Sequence, residues 1–170
     1  MMAKVITDNV SKIAAYGRRK GVLAVASVTP ILIYAGQAKH AIDLYKRAFN
    51  AQVQVLMRCS DANPKDFQYR EEDKDLIYHS QVKIGKQTLI IADAPATVLQ
   101  ADATGQPSKP FFIDLVVTFD TDNELMAAYD VLSDGGTIRE PLCSQTYCSL
   151  CVSLVDRHGG QWQLMSGFKG

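Results

Sequence analysis

The chain has 170 residues, with 18 Lys and Arg against 18 Asp and Glu, so its formal net charge is zero. A chain of this length buries roughly 70% of its unfolded surface and needs no covalent staple. Balanced, scattered charge leaves no field to attract nucleic acid or anionic lipid. The four cysteines, Cys59, Cys143, Cys148 and Cys151, are too sparse for a secreted disulfide scaffold and imply free thiols in a reducing, cytoplasmic compartment.

Residues 1–26 read as an N-terminal helical extension. Over 7–20, Thr7 or Asp8 is placed to cap, Val10, Ile13, Ala14 and Gly17 fall along one side, and Gly21 offers a stop. Arg18-Arg19 and the apolar run after it superficially resemble a twin-arginine export signal. Against export, Val28 to Tyr34 reads as the first core strand, which could not be cleaved off. No stretch reaches the roughly 18 apolar residues needed to cross a bilayer.

The first module spans 27–95. Its opening strand carries Pro30 near the start, where a missing N–H is tolerated. Gly36 turns the chain into a helix over 38–49, whose stripe is Ala38, Ala41, Ile42, Tyr45, Ala48 and Phe49. A strand follows over 51–57. Residues 60–75 are dense in charge, hold Pro64 and predict a solvated loop. A hairpin, 76–84 and 87–92, turns at Gly85. Residues 96–110, rich in Pro, Gly, Ala and Thr, read as a linker.

The second module, 111–170, repeats the order. A strand over 111–119 is followed by Thr121-Asp122-Asn123-Glu124, a capping-box pattern that opens a helix running to Gly135-Gly136. A short strand is expected at 137–140. A final hairpin, 148–155 and 161–165, turns at Gly159-Gly160. Trp162 and Gln163 lie on opposite faces of its second strand, because side chains alternate. The chain is therefore strand–helix–three strands, twice.

At these residues the sequence resembles a known family. Val28-Thr29-Pro30, Gly36, Ala41 to Tyr45 and Phe49 are similar to the opening of PhnB-like proteins. Tyr78 to Gly85, Thr88-Leu89 and Asp93-Ala94-Pro95 resemble their middle, and Cys151, Asp156-Arg157, Gly159 and Trp162-Gln163 their closing hairpin. PhnB-like proteins are a branch of the vicinal oxygen chelate superfamily, with glyoxalase I, bleomycin-resistance proteins and extradiol dioxygenases. The resemblance covers about 27–166. It implies an α+β fold of two βαβββ modules forming a glyoxalase-like curled mixed sheet with a central cleft, usually within a homodimer.

Metal-dependent members of that superfamily place a ligand on the first and last strand of each module. Carried over, the positions fall near Pro30, between Thr88 and Ala92, near Asp114, and on Gln163. Pro30 has no ligand atom, and Thr88 to Ala92 offers at best a hydroxyl. Two weak oxygen donors rarely hold a transition metal, so no cofactor is expected. His40 and His158 read as solvated. His79, on a core strand, reads as a hydrogen-bonded structural residue or a polar contact in the cleft. Cys148 and Cys151, as CxxC on a strand, should point to opposite faces, which suits neither zinc nor a redox pair.

The expected function is therefore a glyoxalase/bleomycin-resistance-like protein, metal-free, that binds a small organic molecule in the cleft between its modules. Tyr34, His79, Asp114, Cys151, Trp162, Gln163 and Met165 are the cleft candidates, with plain core the competing reading for Cys151 and Met165. The alternatives are a metal-dependent lyase or dioxygenase with a divalent ion on Asp114, Gln163 and His79, and a thiol redox protein. Some PhnB-like proteins carry a methyltransferase label, but no glycine-rich loop is present to hold S-adenosylmethionine. No catalytic residue is assigned.

Overall fold

The computed structural model describes residues 28–65, 68–94 and 113–167. The N-terminal helix and the linker predicted from the sequence lie outside these residues. The first module runs β1 (Ile31–Tyr34), α1 (Ala38–Phe49), β2 (Gln52–Arg58), β3 (Ile77–Ile84) and β4 (Gln87–Asp93). The second runs β5 (Leu115–Phe119), α2 (Asp122–Ser133), β6 (Thr137–Gln145), β7 (Cys148–Val155) and β8 (Gln161–Ser166). Both are βαβββ units.

Strand β1 is shorter than the 28–34 pattern because pairing starts at Pro30. The Pro30 ring has no N–H, but its carbonyl accepts from the Ile90 N–H at 2.9 Å. Helix α1 has no side-chain cap of its own. Asp93, at the end of β4, supplies one: Oδ1 accepts the Ala38 N–H at 3.0 Å, and Oδ2 accepts the Ile77 N–H at 2.9 Å. Helix α2 carries the predicted capping box, with the Glu124 N–H on Thr121 Oγ1 and the Thr121 N–H on Glu124 Oε2. The charged 60–75 stretch holds two short 3-10 turns, Cys59–Asp61 and Glu71–Asp73.

The eight strands make two four-stranded mixed sheets, ordered β1-β4-β3-β2 and β5-β8-β7-β6. Each βαβββ module thus contributes one mixed sheet, as the expected two-module α+β fold requires. In each, the first strand pairs in parallel with the fourth and leaves its other edge unpaired among the described residues.

Strand β6 overturns the short strand expected at 137–140 and continues to Gln145. It lies on a sheet edge, where the missing N–H of Pro141 costs no ladder bond, and irregular register absorbs the interruption.

Helices α1 and α2 pack on each other. The helix-facing sides of both sheets join them in one core, with Ile42, Tyr45, Val82 and Ile91 from the first module and Leu125, Leu132, Leu154 and Trp162 from the second. The opposite face of each sheet is open. Ile31 and Ile33 are exposed on the first, and Val116 on the second.

Candidate functional site

The two modules are tied by a chain of buried hydrogen bonds. Tyr34 Oη lies 2.5 Å from Tyr45 Oη, and the Tyr45 hydroxyl donates to Asp156 Oδ2 at 2.8 Å. The same Asp156 oxygen accepts the Trp162 indole N–H at 2.8 Å. Since Tyr45 spends its one proton on Asp156, Tyr34 is the donor to Tyr45. Burial pushes both phenol hydroxyls well above the ordinary tyrosine range, so they stay protonated as this chain requires. Asp156 Oδ1 accepts the backbone N–H groups of His158 and Gly160 at 2.8 and 3.1 Å.

This network takes in two of the cleft candidates. Tyr34 (7% exposed) and Trp162 (1% exposed) face the helices rather than the open face, each bonded to one end of the module-spanning Tyr45–Asp156 bond. The Trp162 ring packs edge-on to Tyr45, with centroids 4.9 Å apart, and against Phe49 at 4.8 Å.

Beside this lock lies a groove of about 730 Å³. One wall is the free edge of β5, Leu115 to Phe119, and the other is the β3–β4 hairpin with Pro30. Phe49, Ile84, Leu89 and the Trp162 ring give it an apolar base, while Lys86, Gln87 and Asp120 are polar at its rim. Its volume falls in the range of roughly 300–1,000 Å³ usual for small-molecule pockets. Val116, which lines the groove, is paired with Gln163, so the groove wraps round β5 onto the open face of the second sheet.

On that open face Arg139 is the organising residue. Its Nη2 donates to Asp114 Oδ2 at 2.5 Å and to Ser153 Oγ at 2.8 Å, and its Nη1 to Gln161 Oε1 at 3.1 Å. Asp114 Oδ1 is buried and has no partner among the described residues. The sequence pattern did not single out Arg139. It sits where β6 slips register between Ile138 and Glu140, and no local signal marks such a bulge.

Gln163 and Met165 are on the same face, next to Ser153 and Cys151 in the register. Cys143 pairs directly with Cys151, and their sulfurs are 3.7 Å apart. Cys148 and Met165 pack with Cys151 in a small buried cluster. The expectation that Cys148 and Cys151 point apart therefore fails at the β6–β7 turn. His79 is half-buried on β3 of the first sheet, paired with Met57 of β2, and is not gathered with Asp114 and Gln163 of the second. His158 is held at the β7–β8 turn. Its Nδ1 lies 3.0 Å from Gln37 Oε1, its ring stacks on His40, and desolvation lowers its pKa.

The second-module residues do not fit a divalent ion. The one carboxylate at the ligand positions already holds a guanidinium, and a second cation beside Arg139 would meet like-charge repulsion. Gln163 adds only an amide, Pro30 adds nothing, Thr88 to Ala92 adds at best the Thr88 hydroxyl, and no group of three His, Cys, Asp or Glu among the described residues could hold a metal ion.

No protein-family model matches the chain, and no curated protein matches it by sequence. Solved structures do. A protein from Pseudomonas aeruginosa aligns over 84% of this chain and 98% of its own, at 18% identity and a TM-score of 0.67. A PhnB protein from Bacillus cereus aligns over 83% and 99%, at 21% identity and a TM-score of 0.62. A fosfomycin resistance protein, FosX, from Listeria monocytogenes, solved as a mutant with Mn(II) and a dihydroxypropylphosphonic acid, aligns over 85% and 94%, at 10% identity and a TM-score of 0.54. At these identities the likeness shows the fold alone, the two-module βαβββ architecture that this chain shares with those structures.

Proposed function

We propose that this chain, with the fold of the vicinal oxygen chelate superfamily, binds a small organic molecule without a metal in the groove between its modules. The observation that carries the reading is Arg139. A guanidinium already neutralises Asp114, the carboxylate that a metal-dependent relative would need free. The groove supports the binding half of the reading. It has an apolar, aromatic base, and the unpaired edge of β5 with Lys86, Gln87 and Asp120 at the rim can orient a polar ligand group.

We also propose a homodimer. A second copy would cover the free edge of β1 and the exposed Ile31 and Ile33, since flat apolar edges left open invite pairing. Light scattering on eluting protein should give twice the chain mass, and a monomer at all concentrations would remove this part of the proposal. The four free thiols suit the reducing cytoplasm. No helix among the described residues is long and apolar enough to cross a membrane.

The binding claim is tested by a thermal-shift screen of neutral and aromatic metabolites on wild type and Val116→Arg. Val116 is 51% exposed, so the substitution places a charge in the groove without opening the core. Ligands should stabilise the wild type, by about 2.7 kcal/mol at 100 times Kd. Their affinity for the variant should fall about tenfold or more. Ligands that bind both proteins equally would place the site elsewhere, and a screen without ligands would count against the reading.

A further inference from the structure

We propose that Cys143 and Cys151 form a reversible disulfide across the β6–β7 ladder, made and broken by exchange with low-molecular-weight disulfides and thiols. The two residues are directly opposite in an antiparallel pair, and their sulfurs are 3.7 Å apart. Directly opposite residues have Cα atoms roughly 4.5–5.5 Å apart, inside the roughly 4.4–6.8 Å window of disulfides. The sulfurs need to approach by only about 1.6 Å to reach bonding distance, a movement that χ1 rotation supplies.

The surroundings assign the order of events. Cys143 is half-buried on an edge strand, within reach of a small disulfide. Cys151 is 4% exposed, and burial, helped by contact with the Cys143 and Cys148 thiols, pushes its thiol up to about 12. Cys143 is therefore the attacking thiol and Cys151 the resolving one. The Cys143 thiolate attacks RSSR, the S–S bond breaks, and RS⁻ leaves a mixed disulfide on Cys143. Cys151 then loses its proton, its sulfur attacks the Cys143 sulfur, and a second RS⁻ departs. Two protein thiols are oxidised and one RSSR is reduced to two RSH.

Cys148 packs in the same cluster and is the competitor, but it lies on the same strand as Cys151 rather than directly opposite it. Three residues along a strand separate Cα atoms by roughly 10 Å, well beyond the disulfide window. Because Cys151 and Met165 are paired on the open face, the new bond would lie in the floor beside Gln163.

The test uses the full reduced chain, incubated with oxidised glutathione, quenched with N-ethylmaleimide and read by intact mass and peptide mapping. Two of the four cysteines should lose alkylation, mapped to a Cys143–Cys151 link, and dithiothreitol should restore all four. Cys148→Ser should still form the link. Cys151→Ser should keep glutathione on Cys143, and Cys143→Ser should take up none on Cys151. A glutathione adduct that persists on wild-type Cys143, a Cys148–Cys151 link, or four alkylated thiols would each overturn the proposal.

Discussion

Asp156 is 4% exposed, and its two carboxylate oxygens take four hydrogen bonds, from Tyr45, Trp162 and the His158 and Gly160 backbone. Removing the acceptor leaves buried donors from both modules without partners. Asp156→Ala should therefore lower unfolding free energy by about 3–5 kcal/mol. Tyr45→Phe removes one donor to Asp156 and one acceptor for Tyr34, and should cost about 1.5–3 kcal/mol. Urea unfolding measures both, and a loss under about 1 kcal/mol for Asp156→Ala would make the network incidental. The paired glycines show what a sequence can disclose here. Gly159 has φ +91°, the turn conformation its position predicted. Gly160 is required for a different reason: a Cβ there would run into the Asp156 carboxylate, the Tyr45 hydroxyl and the Trp162 indole. Tyr45 comes from the other module, so no local pattern could reveal that approach. For the same reason the roles of Tyr34 and Trp162 on either side of the inter-module Tyr45–Asp156 bond could not be read from the sequence.

At the scale of elements, helix α2 is docked as well as capped. Asp122 Oδ1, in its first turn, accepts the hydroxyls of Ser149 of β7 at 2.7 Å and Ser166 of β8 at 2.6 Å. These bonds, that from Ser166 first, hold the Asp122 carboxyl below its ordinary value of 3.8. The unfolded chain then binds the proton more readily than the folded one. The contribution is fully present above 3.8 and is lost as pH falls below it through the folded value. Asp122→Asn should accordingly flatten the acid limb of stability against pH and leave the slope near neutrality unchanged. An unchanged acid limb would remove the role of these bonds. The capping box of this helix was legible because it spans four residues, and α1 was legible from its stripe. The bonds to β7 and β8 were not, because they depend on which strands flank the helix end. Strand β6 was missed past Glu140 because Pro141 reads as a breaker unless the strand is known to lie on an edge. That truncation also concealed the Cys143–Cys151 pairing, whereas Arg139, inside the expected strand, was hidden by the register slip between Ile138 and Glu140.

At the scale of the molecule, the repeat of strand, helix and three strands fixed the two modules and their likeness to solved structures of the same fold. It could not fix how the modules meet. Within the chain they join helix to helix in one core, leaving two sheets with open faces and free first strands. That arrangement creates the groove along β5 and sets Arg139 against Asp114, where a metal-dependent protein of this fold would need an unpaired ligand. Metal-free binding is the central claim, and metal content is its most direct test. Protein purified without a histidine tag, dialysed against excess Mn(II) or Zn(II) and then against buffer, should retain less than about a tenth of an equivalent per chain by plasma mass spectrometry. Retention near one equivalent, lost in Asp114→Asn, would show that Arg139 yields its place to a metal and would contradict the account.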